Sequence, residues 1–325
     1  MHWLTAVQAQ DYPGATVSVA LRTKERTKAG VAEALDRGAV VRSWPMRGTL
    51  HFVAAEDLPW MLSLTAERML AATARRRADL DITDADLEHA RKVAVAVLGG
   101  GRRLGRAGLF AEWQRAGQRT DAQRRAHLFG HLAMSGLLCL GPTIGREQAV
   151  VLCDEWITAP RRPERDEALG EWALRYFRGH GPATVKDFAW WTKLRAAEVK
   201  TAVAVAKPHL EPVEADGIEY LMDPRTPSLL DAHRAEARGV YLLPGFDEYL
   251  LGYGDRGPAL PAEFAERVVP GRNGMFLSTV VSGGQVVGTW RRTGSGAARS
   301  IDATPFAAFT ARVGKAIPRL YTALP

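Results

Sequence analysis

At 325 residues the chain is too long for one small core, and 46% hydrophobic against 24% charged residues excludes disordered and fibrous classes. Forty-three Lys and Arg against 36 Asp and Glu give a formal charge of +7 and a pI near 9.6, a balance that favours polyanionic partners, nucleic acid or an anionic surface. The opening residues lack a leader pattern and no run approaches about 18 apolar residues. The only cysteines, Cys139 and Cys153, are too few for a disulfide framework or a cysteine-based zinc site, so the expectation is a reduced, cytoplasmic, nucleoid-associated protein.

In chain order, the first feature is Val7-Gln8-Ala9-Gln10-Asp11-Tyr12-Pro13-Gly14. Residues two apart on an extended segment project the same way, so the amides of Gln8 and Gln10 converge on one spot. Pro13-Gly14 predicts a turn directly after the pair. On pattern alone a solvated polar pair before a turn is the commoner reading. A short helix is then expected over 29–37, with Val31, Ala34 and Leu35 on one face and Gly38 at its end. Two β-rich runs, 39–44 and 49–53, flank Pro45-Met46-Arg47-Gly48. Helix, hairpin and a tip carrying Arg47 outline a winged helix.

The outline recurs. Thr83 with Asp86 resembles a capping box, followed by Leu87, Ala90, Ala94 and Val97 at helical spacing and by Gly99-Gly100-Gly101. A second helix spans 106–116, with Leu109, Phe110 and Trp113 inward, and a third spans 121–135, with Ala122, Ala126, Phe129, Leu132 and Ala133 inward. Strands at 137–140 and 148–153 make the hairpin. After a charged linker at 159–166, helices are expected over 168–177, behind the Thr184/Asp187 cap, and over 198–206, with a wing at 210–213 and 218–222. Three consecutive copies of one pattern make the repeat the firmest structural inference. Beyond about residue 238 the pattern changes to strands at 240–243, 275–281 and 285–291, with Ser282-Gly283-Gly284 as a hairpin turn, and a closing helix over 305–321.

Chemistry-bearing candidates are sparse. Arg124, His127 and His131 share a face of the third helix of the second repeat, with Arg119 and Arg125 nearby, which fits a recognition helix against phosphates or base edges as well as a solvated basic face. His127 and His131 have the spacing of a zinc pair, yet Leu128-Phe129-Gly130 lacks the metalloprotease Glu; no metal and no cofactor are expected. Arg75-Arg76-Arg77 reads as a solvated helix end. Asp247 and Glu248 are acid/base candidates, although acids beside a turn more often cap or orient backbone. His51, alternating with apolar neighbours, reads as a hydrogen-bonded structural histidine.

Taken together, Val7-Gln8-Ala9-Gln10-Asp11, the run from Arg42 to His51, Gly179-His180-Gly181-Pro182-Ala183-Thr184 with Asp187-Phe188-Ala189-Trp190-Trp191, the run from Leu242 to Tyr249, and Val287-Gly288-Thr289-Trp290 resemble the winged-helix DNA glycosylase family. That family includes bacterial enzymes that unhook interstrand crosslinks and self-resistance enzymes of Streptomyces that make DNA-alkylating antibiotics. The resemblance runs essentially end to end. It implies an α+β fold of three tandem winged-helix modules followed by a small C-terminal β-barrel-like module, with boundaries at 1–78, 79–160, 161–236 and 237–325. It also implies a monofunctional N-glycosylase that removes N7-alkylated or bulky alkylated purines from double-stranded DNA, with no membrane and no obligate protein partner. The family's Gln-X-Gln/Asp motif falls on Gln8 and Gln10 as catalytic residues, and Arg47, Arg119, Arg124, Arg125 and His127 become the expected DNA contacts. Members carry a further helix ahead of the motif, whereas seven residues precede Gln8 here; either the start is assigned late or the first winged helix lacks that helix.

Amides suffice for such chemistry because an N7-alkylated purine is already cationic and needs little protonation to leave. What remains is to place a water and to stabilise an oxocarbenium-like sugar, and an amide offers both an acceptor and a donor. Gln10 is expected to orient the water and Gln8 to support it or the deoxyribose. The leading rival is a non-catalytic winged-helix regulator, which tandem wings and positive charge fit equally well; a weaker one is a nucleic-acid-associated scaffold.

Overall fold

The structure, a computed structural model, describes the chain apart from Ala122, Arg146 and Ser295 and the side chains of Arg272 and Ala297; the expected inward position of Ala122 lies outside the described residues. The N-terminal region runs β1 (Ala6–Gln8), α1 (Tyr12–Ala20), α2 (Lys28–Asp36), β2 (Val40–Met46), β3 (Thr49–Ala54) and the 22-residue α3 (Leu58–Asp79). Next come α4 (Asp84–Leu98), β4 (Leu104–Gly105), α5 (Arg106–Arg115), α6 (Arg124–Met134), β5 (Leu138–Ile144), β6 (Glu147–Leu152) and α7 (Cys153–Trp156). The third stretch holds α8 (Arg165–His180), α9 (Val185–Thr192), α10 (Ala196–Ala206), β7 (Glu211–Ala215), β8 (Ile218–Met222), α11 (Thr226–Ala232) and α12 (Arg234–Ala237). The last comprises β9 (Val240–Leu243), α13 (Glu248–Leu251), α14 (Ala265–Val268), β10 (Thr279–Ser282), β11 (Gln285–Thr293), β12 (Ser300–Pro305) and α15 (Ala311–Thr322).

Several of these ends follow from local chemistry. Thr83 with Asp86 and Thr184 with Asp187 both form complete capping boxes, which satisfy otherwise orphaned N–H groups at the starts of α4 and α9. Asp187 does more, because its second oxygen accepts the N–H groups of Gly254 (3.0 Å) and Asp255 (3.1 Å) and so docks the C-terminal region on α9. Pro13-Gly14, expected as a turn, instead lies in the first turn of α1, with Asp11 at the N-cap position. Proline's fixed φ suits the first helical turn, where its missing N–H has no partner to lose.

The hairpins β2–β3 and β5–β6, expected as wings of separate modules, are neighbours in one antiparallel sheet of order β1-β3-β2-β5-β6-β4, joined where Arg42 pairs with Leu140. The β7–β8 hairpin forms its own two-stranded sheet. Three cores surround this arrangement. One runs from the sheet through α3 to α8–α10, with Trp60 and Trp172 edge to face at 5.6 Å; a second lies under α4–α6; a third joins α1 and α2 to β2 and β3. The expected barrel-like C-terminal module is an open sheet, β12-β11-β10-β9, among the described residues. Its edge strands have six and four residues and do not pair with each other, so there is no closure of the kind a barrel requires; α15 covers one face through Val313 and Ile317 against Leu242, Val280 and Trp290.

Candidate active site

The short edge strand β1 lies along β3 with Gln8 opposite His51. Just before the start of β3, at the end nearest Gln8, Arg47 and Gly48 take consecutive left-handed conformations, φ 57° and 67°, the geometry that closes a two-residue hairpin with the natural strand twist. That turn directs the Arg47 guanidinium back toward β1. Its Nη2 donates to Gln8 Oε1 at 3.2 Å and to His51 Nε2 at 3.0 Å. On the other side of the ring, His51 Nδ1 is 2.8 Å from the Thr49 carbonyl, which only accepts, so Nδ1 carries the proton and Nε2 is the acceptor. Burial first, then the charge of Arg47, pushes His51 down to about 3, so the ring is neutral at physiological pH.

Beneath the strand, Glu248 is only 2% exposed. Its Oε1 accepts the Gln8 backbone N–H at 3.0 Å, and its Oε2 accepts Trp191 Nε1–H at 3.0 Å and lies 3.5 Å from His180 Nε2. Burial alone raises a carboxyl's pKa; here the His180 ring, Arg47 and the Gln8 N–H outweigh it and hold Glu248 at about 2. Asp247 faces the other way. It accepts from Ser18 Oγ (2.6 Å), from Arg22 through both carboxylate oxygens (2.7 and 2.9 Å) and from the Tyr249 N–H (2.9 Å), capping α13 and clamping α1 to the C-terminal region. Both acids therefore belong to the frame around the glutamines, with their oxygens committed.

The exposed Gln10 has its Oε1 3.4 Å from the Leu50 N–H. Arg42, a buried cation inside β2, grips the same segment by its backbone: Nε donates to Ala9 O at 2.8 Å, Nη2 to Gln10 O at 3.3 Å and Nη1 to Gln148 Oε1 at 3.1 Å. Burial and then the charge of Arg106 lower Arg42 to about 10, so it remains charged at neutrality. Residues 8–10 are thus held by an anion at the Gln8 N–H and by a cation at the Ala9 and Gln10 carbonyls.

Two clefts open nearby. One, of about 590 Å³, is lined by Trp44, Arg47, Arg68, His127, Met134 and Lys193 among others; a larger one, of about 1030 Å³, lies between α9 and the C-terminal region and includes Asp187, Trp190, Tyr249, Tyr253 and Arg256. The Trp190 ring has three cations over it, Arg256 at 4.9 Å, Lys193 at 5.2 Å and Arg47 at 5.6 Å. Of the expected DNA contacts, Arg47 and His127 share the first cleft; burial, then Arg76 and Arg77, lowers His127 below its ordinary value. Arg119 is exposed beside Asp121 at 3.6 Å, and Arg125 is exposed over the Phe110 ring at 5.6 Å.

Arg124 requires correction as a DNA contact. It is 1% exposed, and its guanidinium donates to the carbonyls of Leu80 and Asp81 and to Asp86 Oδ1 (3.1 Å), tying the α3–α4 connection to the start of α6. Sequence reasoning passed over Arg42, whose signal was an arginine inside a mostly apolar strand. Among the described residues, His2, Glu56 and Asp57 lie close enough to share a metal, but Asp57 is already occupied by Trp60 Nε1, Arg161 and Arg175. No helix among the described residues is long and apolar enough to cross a membrane.

An interstrand DNA cross-link repair glycosylase of Streptomyces sahachiroi is 26% identical over 298 residues, 88% of this chain and 80% of that protein. The solved structure of the Streptomyces sahachiroi DNA glycosylase AlkZ has the same fold, with a TM-score of 0.79 over 99% of this chain and 88% of that chain at 24% identity. The family model described as DNA glycosylase AlkZ-like matches residues 1–324, and with nearly the whole length accounted for, the chain belongs to the AlkZ-like DNA glycosylase family.

Proposed function

We propose that this glycosylase hydrolyses the N-glycosidic bond of N7-alkylated or bulky alkylated purines in duplex DNA, including adducts that bridge the two strands, with Gln8 and Gln10 as its catalytic residues. One observation carries the reading: beside the Gln8 strand, Glu248 has its oxygens taken by the Gln8 N–H and Trp191 Nε1–H, and His51 gives its Nδ1–H to the Thr49 carbonyl and meets Arg47 at Nε2. Neither has a proton to give near neutrality. Such a site suits a leaving base that is cationic before the reaction starts. A water oxygen bonds to C1′ as the C1′–N9 bond breaks; the bonding pair passes to the base and neutralises its charge, and the water's proton goes to solvent. Gln10, exposed to solvent, orients the water, and Gln8 supports the water or the deoxyribose from beside it.

On this reading Arg119, Arg125 and His127 contact the duplex. The segments 1–78, 79–160, 161–236 and 237–325 remain the proposed functional units, the first three as winged helices. The test is base release from a duplex containing one N7-methylguanine, scored as strand cleavage at the resulting abasic site, beside a duplex carrying a defined interstrand crosslink. Release from the first supports the activity, and release from the second extends it to crosslinks. Tight binding to one undamaged sequence without any release marks a regulator instead.

A further inference from the structure

We infer that Arg47 is a positioning residue that fixes which way the Gln8 side-chain amide faces, with neutral His51 as its support from behind; this rests on Gln8 being catalytic. A glutamine amide has two nearly isosteric faces, an acceptor oxygen and a donor NH2, and a site that needs one of them must forbid the other. The Arg47 guanidinium only donates. With its Nη2 3.2 Å from the Gln8 amide, it selects the oxygen as the atom facing it, so the NH2 points elsewhere and the positive charge makes that NH2 a stronger donor. The same Nη2 is held at 3.0 Å by His51 Nε2, and this acceptor is fixed by the Nδ1–H given to Thr49 O. A protonated ring would present a donor to a donor, and burial of His51 opposes that state. The chain thus runs from the Thr49 carbonyl through His51 and Arg47 to Gln8, every donor matched to an acceptor. A phosphate-contacting arginine at a wing tip needs its guanidinium free; here Nη2 is committed to Gln8 and His51 and the group lies over the Trp190 ring.

The Arg47→Gly variant tests this cleanly, because glycine adopts φ near +57° without strain and the turn survives loss of the side chain. With the N7-methylguanine duplex, the single-turnover excision rate at saturating enzyme is expected to fall by roughly 10²-fold, the scale of losing one oriented donor in a site. Duplex affinity and its dependence on salt are expected to stay as in the wild type. Added methylguanidinium, below denaturing concentrations, is expected to restore part of the rate, and Gln8→Ala combined with Arg47→Gly to be no slower than Gln8→Ala alone. An unchanged rate with weaker binding and a salt slope reduced by about one assigns Arg47 to a phosphate and overturns the proposal, as does a rate loss that methylguanidinium leaves untouched. Absence of excision by the wild type, or a wild-type rate in Gln8→Ala, defeats the catalytic reading of Gln8 instead, so the two failures are distinguishable.

Discussion

The β2–β3 and β7–β8 hairpins close with the same backbone: Arg47 and Gly48 at φ 57° and 67°, Asp216 and Gly217 at 51° and 73°. Their surroundings differ in every other respect. The first lies between β1 and β5 in the six-stranded sheet, and its turn arginine reaches Gln8 and His51. The second is a sheet of two strands with β7 exposed along its whole length. A left-handed pair is a local property of the residues at the tip. Whether the tip carries chemistry depends on what stands beside it, and for β2–β3 that includes a carboxylate 240 residues from Gln8 in sequence.

Perturbing the two hairpins and the supports of the first gives effects of graded size. The largest is expected from Gln10→Ala, which should lower base release from N7-methylguanine DNA by at least roughly 10²-fold with duplex affinity nearly intact; an unchanged excision rate removes Gln10 from the reaction. Next is Asp247→Ala, which leaves the partly buried Arg22 without its carboxylate and Ser18 and the Tyr249 N–H without an acceptor. Denaturant unfolding should register a loss of about 3 kcal/mol, and a loss under about 1 kcal/mol would show that the clamp between α1 and α13 contributes little.

The pH dependence of stability separates His51 from Glu248. His51 has a folded-state value of about 3 against an ordinary 6.5, so the unfolded chain binds the extra proton and stability falls as pH drops below 6.5, by at most about 1.4 kcal/mol per pH unit. Glu248 is also depressed, to about 2 from 4.5, so its contribution is complete above 4.5 and is lost only below that. Between 6.5 and 4.5 the acid limb therefore contains His51, together with the also depressed His127 and His131, and not Glu248. Thermal midpoints of His51→Gln should flatten across that window relative to wild type; an unchanged slope assigns the limb to other groups. The smallest effect belongs to the second hairpin: Asp216→Asn, which keeps a residue tolerant of φ > 0, should stay within about 0.5 kcal/mol of wild type and leave excision untouched.

Much of this frame was legible in the residues. The capping boxes at Thr83/Asp86 and Thr184/Asp187, the glycine-closed hairpins and the extended Gln8 segment are set by neighbours in sequence. What was not legible was set by distant partners or by ambiguous local signals. Pro13-Gly14 marks a turn and a first helical turn with the same letters, so α1 was read as a turn. Arg124 shares a helix face with His127 by spacing, yet at the start of α6 its side chain reaches back to the Leu80 and Asp81 carbonyls. The β12 strand was missed, and the C-terminal strands were expected to form a barrel-like module. The role of Arg42 depends on Ala9, Gln10 and Gln148 converging on it, which no window around residue 42 contains.

The pairing of Arg42 with Leu140 bears on how the chain divides. A chain cut after residue 78 would leave β2 with an open edge, an invitation to intermolecular pairing, and would strip Gln148 from the arginine that grips the Gln8–Gln10 segment. The first two hairpins therefore depend on each other for a closed edge, as the separate β7–β8 hairpin does not.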